Sequence, residues 1–107
     1  MIHVVYHRMY NRLTVEGHAQ SGEAGHDLVC ASASILAYTL AANVKELVRT
    51  GQAAEQTVEL QAGRAEVSCK PHCRLKTVVS IIFDTVCVGF ELLAKDYPEY
   101  ITYSVRG

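Results

Sequence analysis

Residues 17–34 read GHAQSGEAGHDLVCASAS, and the chain changes character across them. Before Gly17, apolar residues alternate with polar ones. After Asp27, apolar residues recur at steps of three and four: Val29, Ala33, Leu36, Leu40, Val44 and Leu47. That spacing gives one apolar face over about five helical turns. Asp27 is the expected N-cap, because its carboxylate can accept from the unpaired amides of a first turn. Gly51 is the expected stop. Ala31, Ala33, Ala37, Ala41 and Ala42 are small enough to let this helix lie close to a sheet.

Working outward, residues 2–8 (IHVVYHR) and 13–18 (LTVEGH) alternate across a turn at Tyr10, Asn11 and Arg12. They read as an antiparallel hairpin. Residues 56–61 (QTVELQ) and 64–69 (RAEVSC) form a second hairpin about Ala62-Gly63. Pro71 ends that pattern, being poorly suited to a central strand. From Leu75 the positions Val78, Ile82, Val86, Phe90 and Leu93 return to helical spacing. The segment is rich in β-branched residues, which favour strand, but its length and its charged end (Glu91, Lys95, Asp96) favour helix. Pro98 closes it, and Ile101, Tyr103 and Val105 alternate as a last strand. The order β-β-α-β-β-α-β predicts an α+β two-layer sandwich: a mixed five-stranded sheet with two helices on one face. Residues 1–107 are expected to form a single domain, with no repeat or linker.

Composition narrows the function classes. Half of the 107 residues are hydrophobic and a fifth are charged, so the chain should fold. Ten Lys+Arg stand against eleven Asp+Glu, a net charge of −1. No basic run stands out, so no direct nucleic-acid partner is expected. The absence of a leader pattern and of an uninterrupted apolar run of about 18 residues points to neither export nor a membrane. Cys30, Cys69, Cys73 and Cys87 are then expected to be reduced thiols in a cytoplasm.

The chemistry concentrates at Cys30. A thiol with an ordinary pKa of about 8.5 is mostly protonated at neutral pH and needs help to act as a nucleophile. Placed in the first turn after Asp27, Cys30 would feel the helix dipole. His18 at a strand end beside the glycine loop, or His26 four residues before the cysteine, would take its proton. Asp27 is either a cap or the group that orients a histidine. Ser21, Ser32 and Ser34 are near enough to donate hydrogen bonds, and Ser34 lies one turn beyond Cys30 on the same side. The plainer alternative is that Cys30 is simply packed, as helical cysteines often are. Cys69-Lys-Pro-His-Cys73 resembles half a zinc site but lacks a second pair. No metal or cofactor is therefore expected. The scattered tyrosines are expected in core packing or on the hairpin surface, some of them lining a groove for an extended peptide.

The residues Gly17-His18-Ala19, Ser21-Gly22, Gly25-His26-Asp27, Val29-Cys30-Ala31 and Ser34 resemble the ribosomal-processing cysteine proteases of the Prp family, and the likeness covers essentially the whole chain. It implies a cytoplasmic, homodimeric cysteine endopeptidase. Its partner would be the N-terminal segment of a large-subunit ribosomal protein, whose short extension it removes after an aromatic residue to support ribosome maturation. By position, His18 matches the catalytic histidine and Cys30 the nucleophile. Gly22 and Gly25 match a mobile substrate loop, and Asp27 and Ser34 match supporting positions. The alternative class is a non-catalytic ribosome-associated module that binds a peptide without cutting it.

Overall fold

The structure, a computed structural model, describes the backbone of residues 1–17 and 24–107 and the side chains of residues 1–17 and 28–107. The strands are β1 (Ile2–His7), β2 (Arg12–Glu16), β3 (Ala53–Gln61), β4 (Arg64–Pro71) and β5 (Ile101–Arg106). The helices are α1 (Ala24–Arg49), between β2 and β3, and α2 (Lys76–Asp96), between β4 and β5. The expected α+β sandwich is present: the five strands form one mixed sheet in the order β3-β4-β2-β1-β5. Neighbouring strands are antiparallel except β1 and β5, which run parallel from Ile2↔Ile101 to His7↔Arg106.

This topology explains why both helices cover one face. The connection β2-α1-β3 travels one way across the sheet, and β4-α2-β5 travels the other way from a strand of opposite direction. Right-handed crossovers of both therefore land on the same side. That side of the sheet presents Ile2, Val4 and Tyr6 of β1, Leu13 of β2, Val67 of β4 and Ile101 of β5, all buried. Val29, Leu40 and Val44 of α1 and Val79, Phe83 and Phe90 of α2 close over them. The Tyr6 ring stacks on Phe83, with centroids 6.1 Å apart and planes 14° apart. Each such buried side chain contributes about 1.5–3 kcal/mol.

Where the helices meet, Gly89 of α2 faces Leu36 of α1. A Cβ at Gly89 would lie 2.7 Å from a Leu36 methyl carbon. At the end of α1, Gly51 has φ 77. Its amide donates to the Val48 carbonyl at 3.1 Å, and the Gln52 amide donates to Leu47 at 2.8 Å. This pair of bonds is the Schellman closure that a glycine at that position permits.

Several expectations shift. α1 starts at Ala24, so Asp27 is its fourth residue rather than its cap. Residues 24–26 carry no apolar period, so the sequence shows a cap-type residue at Asp27 but no sign of the turn before it. Ala33, Ala37 and Ala41 are buried against the sheet as expected, but Ala31 and Ala42 are exposed. β2 ends at Glu16 rather than reaching residue 18. β3 starts at Ala53, three residues before its regular alternation, because its register with β4 breaks between Ala54 and Thr57. Within that bulge Glu55 has φ 51, a left-handed backbone that L-residues adopt at a cost of about 1–2 kcal/mol.

By length and composition, Leu28–Arg49 and Cys73–Asp96 are each apolar enough to cross a membrane. One face of each is the core just described. The surplus lies on the outside, where Val78, Ile81, Val88 and Leu92 of α2 are exposed.

Candidate active site

A cavity of about 190 Å³ opens at the end of the sheet where β2 stops and β3 turns into β4. Its helical wall is Cys30, Ala33, Ser34, Ala37 and Tyr38, and its sheet wall includes Ile2, Val15, Gly17, Gly63 and Arg64. Cys30, Ser34 and Tyr38 sit at i, i+4 and i+8, so one stripe of α1 supplies all three. Cys30 is half-buried, which leaves its sulfur reachable from the cavity.

The sheet wall is built by close backbone approach. Gly17 has φ 117, and a Cβ there would lie 2.1 Å from the Met1 carbonyl oxygen. Its amide donates to the Gly63 carbonyl at 2.9 Å, continuing the β2–β4 pairing one step past Glu16↔Arg64. Arg64 pairs with Glu16 on β2 and with Glu66 on its own strand, the latter at 3.0 Å. These half-exposed pairs contribute little stability. They hold the guanidinium at the cavity rim between two carboxylates.

The four cysteines are all free thiols in different settings. Burial pushes the Cys69 thiol above its ordinary value. Burial also pushes Cys87 up to about 11, against the lowering effect of a hydrogen bond with Tyr103. Both are inert by environment. Cys73 is exposed in a short 3-10 turn, while Cys69 points into the core, so the two do not share a site. Among the described residues no group of three or more His, Cys, Asp or Glu converges as metal ligands. Cys30 is thus the thiol that combines partial burial with a cavity.

Cys30 and Ser34 are brought together on the cavity wall. His18, Ser21 and Gly22 lie outside the described residues. Gly25, expected in the mobile loop, falls in the first turn of α1 together with Asp27. Cys30 is consequently the seventh residue of the helix, in its second turn. The dipole effect expected for a first-turn thiol is weaker there, because it fades within one turn. Ser32 takes no part: its hydroxyl donates to the Leu28 carbonyl at 2.8 Å. Sequence reasoning missed Tyr38, Leu60 and Arg64 as lining residues. Tyr38 was findable, since it continues the Cys30–Ser34 spacing by one more turn. Arg64 and Leu60 reach the cavity only through strand register, which no local pattern announces.

The α+β sandwich thus carries a helix whose half-buried cysteine lines a cavity at the end of the sheet. The chain belongs to the cysteine protease Prp family, whose model matches residues 1–102. No curated protein matches the chain in sequence. Among solved structures, it is similar to the essential ribosomal processing protease Prp from S. aureus in complex with a covalently linked product peptide. That match has 21% identity and a TM-score of 0.73, covering 99% of this chain and 100% of the other. The same S. aureus protease in complex with a substrate peptide matches at 18% identity and a TM-score of 0.69, covering 98% and 97%. A crystal structure from Streptococcus mutans matches at 24% identity and a TM-score of 0.67, covering 98% and 91%. Membership makes the chain a cysteine protease rather than a non-catalytic peptide module.

Proposed function

We propose that this protease removes the short N-terminal extension of a large-subunit ribosomal protein, with Cys30 as nucleophile and His18 as its base. The observation that carries the reading is the half-buried Cys30 sulfur at a cavity walled by Gly17, Ser34 and Tyr38, within a chain of the Prp family. The S. aureus relative held its product peptide covalently, which is the expectation for a thiol that forms an acyl-enzyme. His18 takes the Cys30 proton, and the thiolate adds to the scissile carbonyl. Backbone amides of the glycine-rich segment that leads into α1 are the expected oxyanion donors. Protonated His18 then gives its proton to the leaving amine, and water hydrolyses the thioester. Gly22 closes over the peptide in this reading, while Asp27 and Ser34 support the pair. The test is cleavage of a peptide spanning the extension junction. Cys30→Ala should abolish it without changing the melting temperature, and retained cleavage would remove Cys30 from its role.

A homodimer is part of the same proposal. Val78, Ile81, Val88 and Leu92 are exposed, and with the exposed Thr85 they follow steps of three and four along the outer face of α2. That spacing is the seam of a helix pair, and a second copy of α2 would cover it. Ile81→Glu should convert a dimer to a monomer in sedimentation equilibrium; an unchanged mass would place the interface elsewhere. A reducing cytoplasm suits a chain whose four thiols are all free.

A further inference from the structure

A second and larger cavity, about 490 Å³, lies at the opposite end of the sheet from Cys30. The two ends are separated by the length of β4, eight residues from Arg64 to Pro71, or about 23 Å. Four cations line the second cavity, Arg8, Arg12, Lys70 and Lys76, against one carboxylate, Glu55. They come in pairs from two distant stretches, residues 8–12 and 70–76, with other residues between the members of each pair, so no basic run marks them in the sequence. Among the described residues, the ion pairs within 4 Å involve Arg49 and Arg64 and none of these four. Lys76 also opens α2, whose N-terminus has no side-chain cap and no acidic residue in its first turn. Positive charge therefore gathers there from side chains and helix dipole together.

The backbone around this cavity is unusual in the same place. The non-glycine residues with positive φ among the described residues are Asn11 (φ 47) and Glu55 (φ 51), and both line it. Asn11 Oδ1 is buried without a hydrogen-bond partner. Tyr10 stands at the rim with its ring largely exposed. Asn11 takes this backbone as the C-cap of the 3-10 turn Arg8–Tyr10, which asparagine does readily, so the strain sits at Glu55 and the unsatisfied polar atom at Asn11 Oδ1, both beside the cations. The volume falls in the range of small-molecule sites.

We propose that this cavity binds a nucleoside phosphate. Arg12, Lys70 and Lys76 hold the phosphate, Tyr10 stacks on the base, and the Asn11 side-chain amide reads a polar edge of the base. Free nucleotides and single-stranded RNA both present this chemistry. The binding site would lie on the same molecule as the protease site, about one sheet length away.

The experiment is fluorescence titration of the full chain with two probes, a labelled short oligouridylate and a fluorescent ADP analogue, between about 50 and about 200 mM salt. Binding of either probe is expected. Preference for the oligonucleotide identifies RNA as the source, and preference for the ADP analogue identifies a free nucleotide. The K70Q/K76Q double variant should bind at least about ten-fold more weakly, with a salt slope smaller by about 1.4 for the oligonucleotide. Arg12→Gln serves as an independent variant if that pair lowers the melting temperature. Tyr10→Ala should weaken binding without changing the salt slope. Absence of binding by both probes at low salt, or equal binding by the charge variants, would overturn the site. Sensitivity to the cations but not to Tyr10 would overturn the nucleotide assignment. Rapid Cys30 alkylation in every variant reports separately on the protease site.

Discussion

The Gly17 amide donates to the Gly63 carbonyl at 2.9 Å, joining the end of β2 to the turn between β3 and β4. This bond lies beyond the last paired residues of β2, and both glycines line the cavity that holds Cys30. The segment leading to His18 is therefore fixed at its root by backbone alone, and Gly17 has no room for a side chain. Gly17→Ala should cost at least about 1–3 kcal/mol from strained φ, with a further cost from the 2.1 Å approach to the Met1 carbonyl. Urea denaturation measures the loss. Cleavage should fall along with it, since Gly17 is part of the cavity wall.

Thiol reactivity should divide the cysteines. In native protein, iodoacetamide should reach exposed Cys73 and half-buried Cys30, while Cys69 and Cys87 react only after unfolding. His18→Ala should slow Cys30 near neutral pH and leave Cys73 unchanged, as read by peptide mass mapping over time. Equal rates for Cys30 in both proteins would argue against the pair.

Cys87 makes stability fall at high pH. Its thiol moves from an ordinary 9.0 to about 11 in the folded chain, mainly through burial. Below pH 9 both folded and unfolded chains keep the proton, and the full contribution is present. Between pH 9 and 11 the unfolded chain ionises first, and stability declines by roughly 2–3 kcal/mol. Cys87→Ala, less stable at pH 7 for lost packing, should show a shallower decline over that window in urea titrations.

Gly89 sets the distance between the helices. Gly89→Ala gains about 1 kcal/mol of helix propensity and must move the Leu36 methyl group 2.7 Å away, so the net change should be small. Gly89→Leu should cost about 1–3 kcal/mol by overpacking. Leu36→Ala in the same chain should recover part of that, and a double-mutant cycle in thermal melts quantifies the coupling.

Glu55 stores strain that another residue would release. Glu55→Gly should change stability favourably by up to about 1 kcal/mol, because glycine accepts φ 51 without a Cβ penalty. Glu55→Val should destabilise, since a β-branched residue tolerates that backbone least.

Most of the fold was legible because periodicity is set by burial. Ile2, Val4 and Tyr6 alternate because one face of β1 meets the core, and Val29 to Leu47 repeat helically for the same reason. α2 was legible despite its β-branched residues, since length and spacing outweighed propensity. Boundaries were less so. Asp27 has the chemistry of a cap, but the helix begins a turn earlier at Ala24, through residues with no apolar period. The bulge at Glu55 hid the first residues of β3. At the site, Cys30 and Ser34 were readable from helical spacing, whereas Arg64 comes to the cavity through the pairing Glu16↔Arg64. The basic cavity was invisible for a related reason: Arg12 and Lys70 lie far apart in sequence and are gathered only by the sheet.

The parallel pairing of β1 with β5 sets an order in time. Ile2 pairs with Ile101, so the edge of β1 away from β2 stays uncovered until β5 is in place. Ile2 is also part of the cavity wall beside Cys30. A chain truncated before residue 101 should therefore keep the thiol but lose the strand that braces Ile2 in the cavity wall, and peptide cleavage should fall with it.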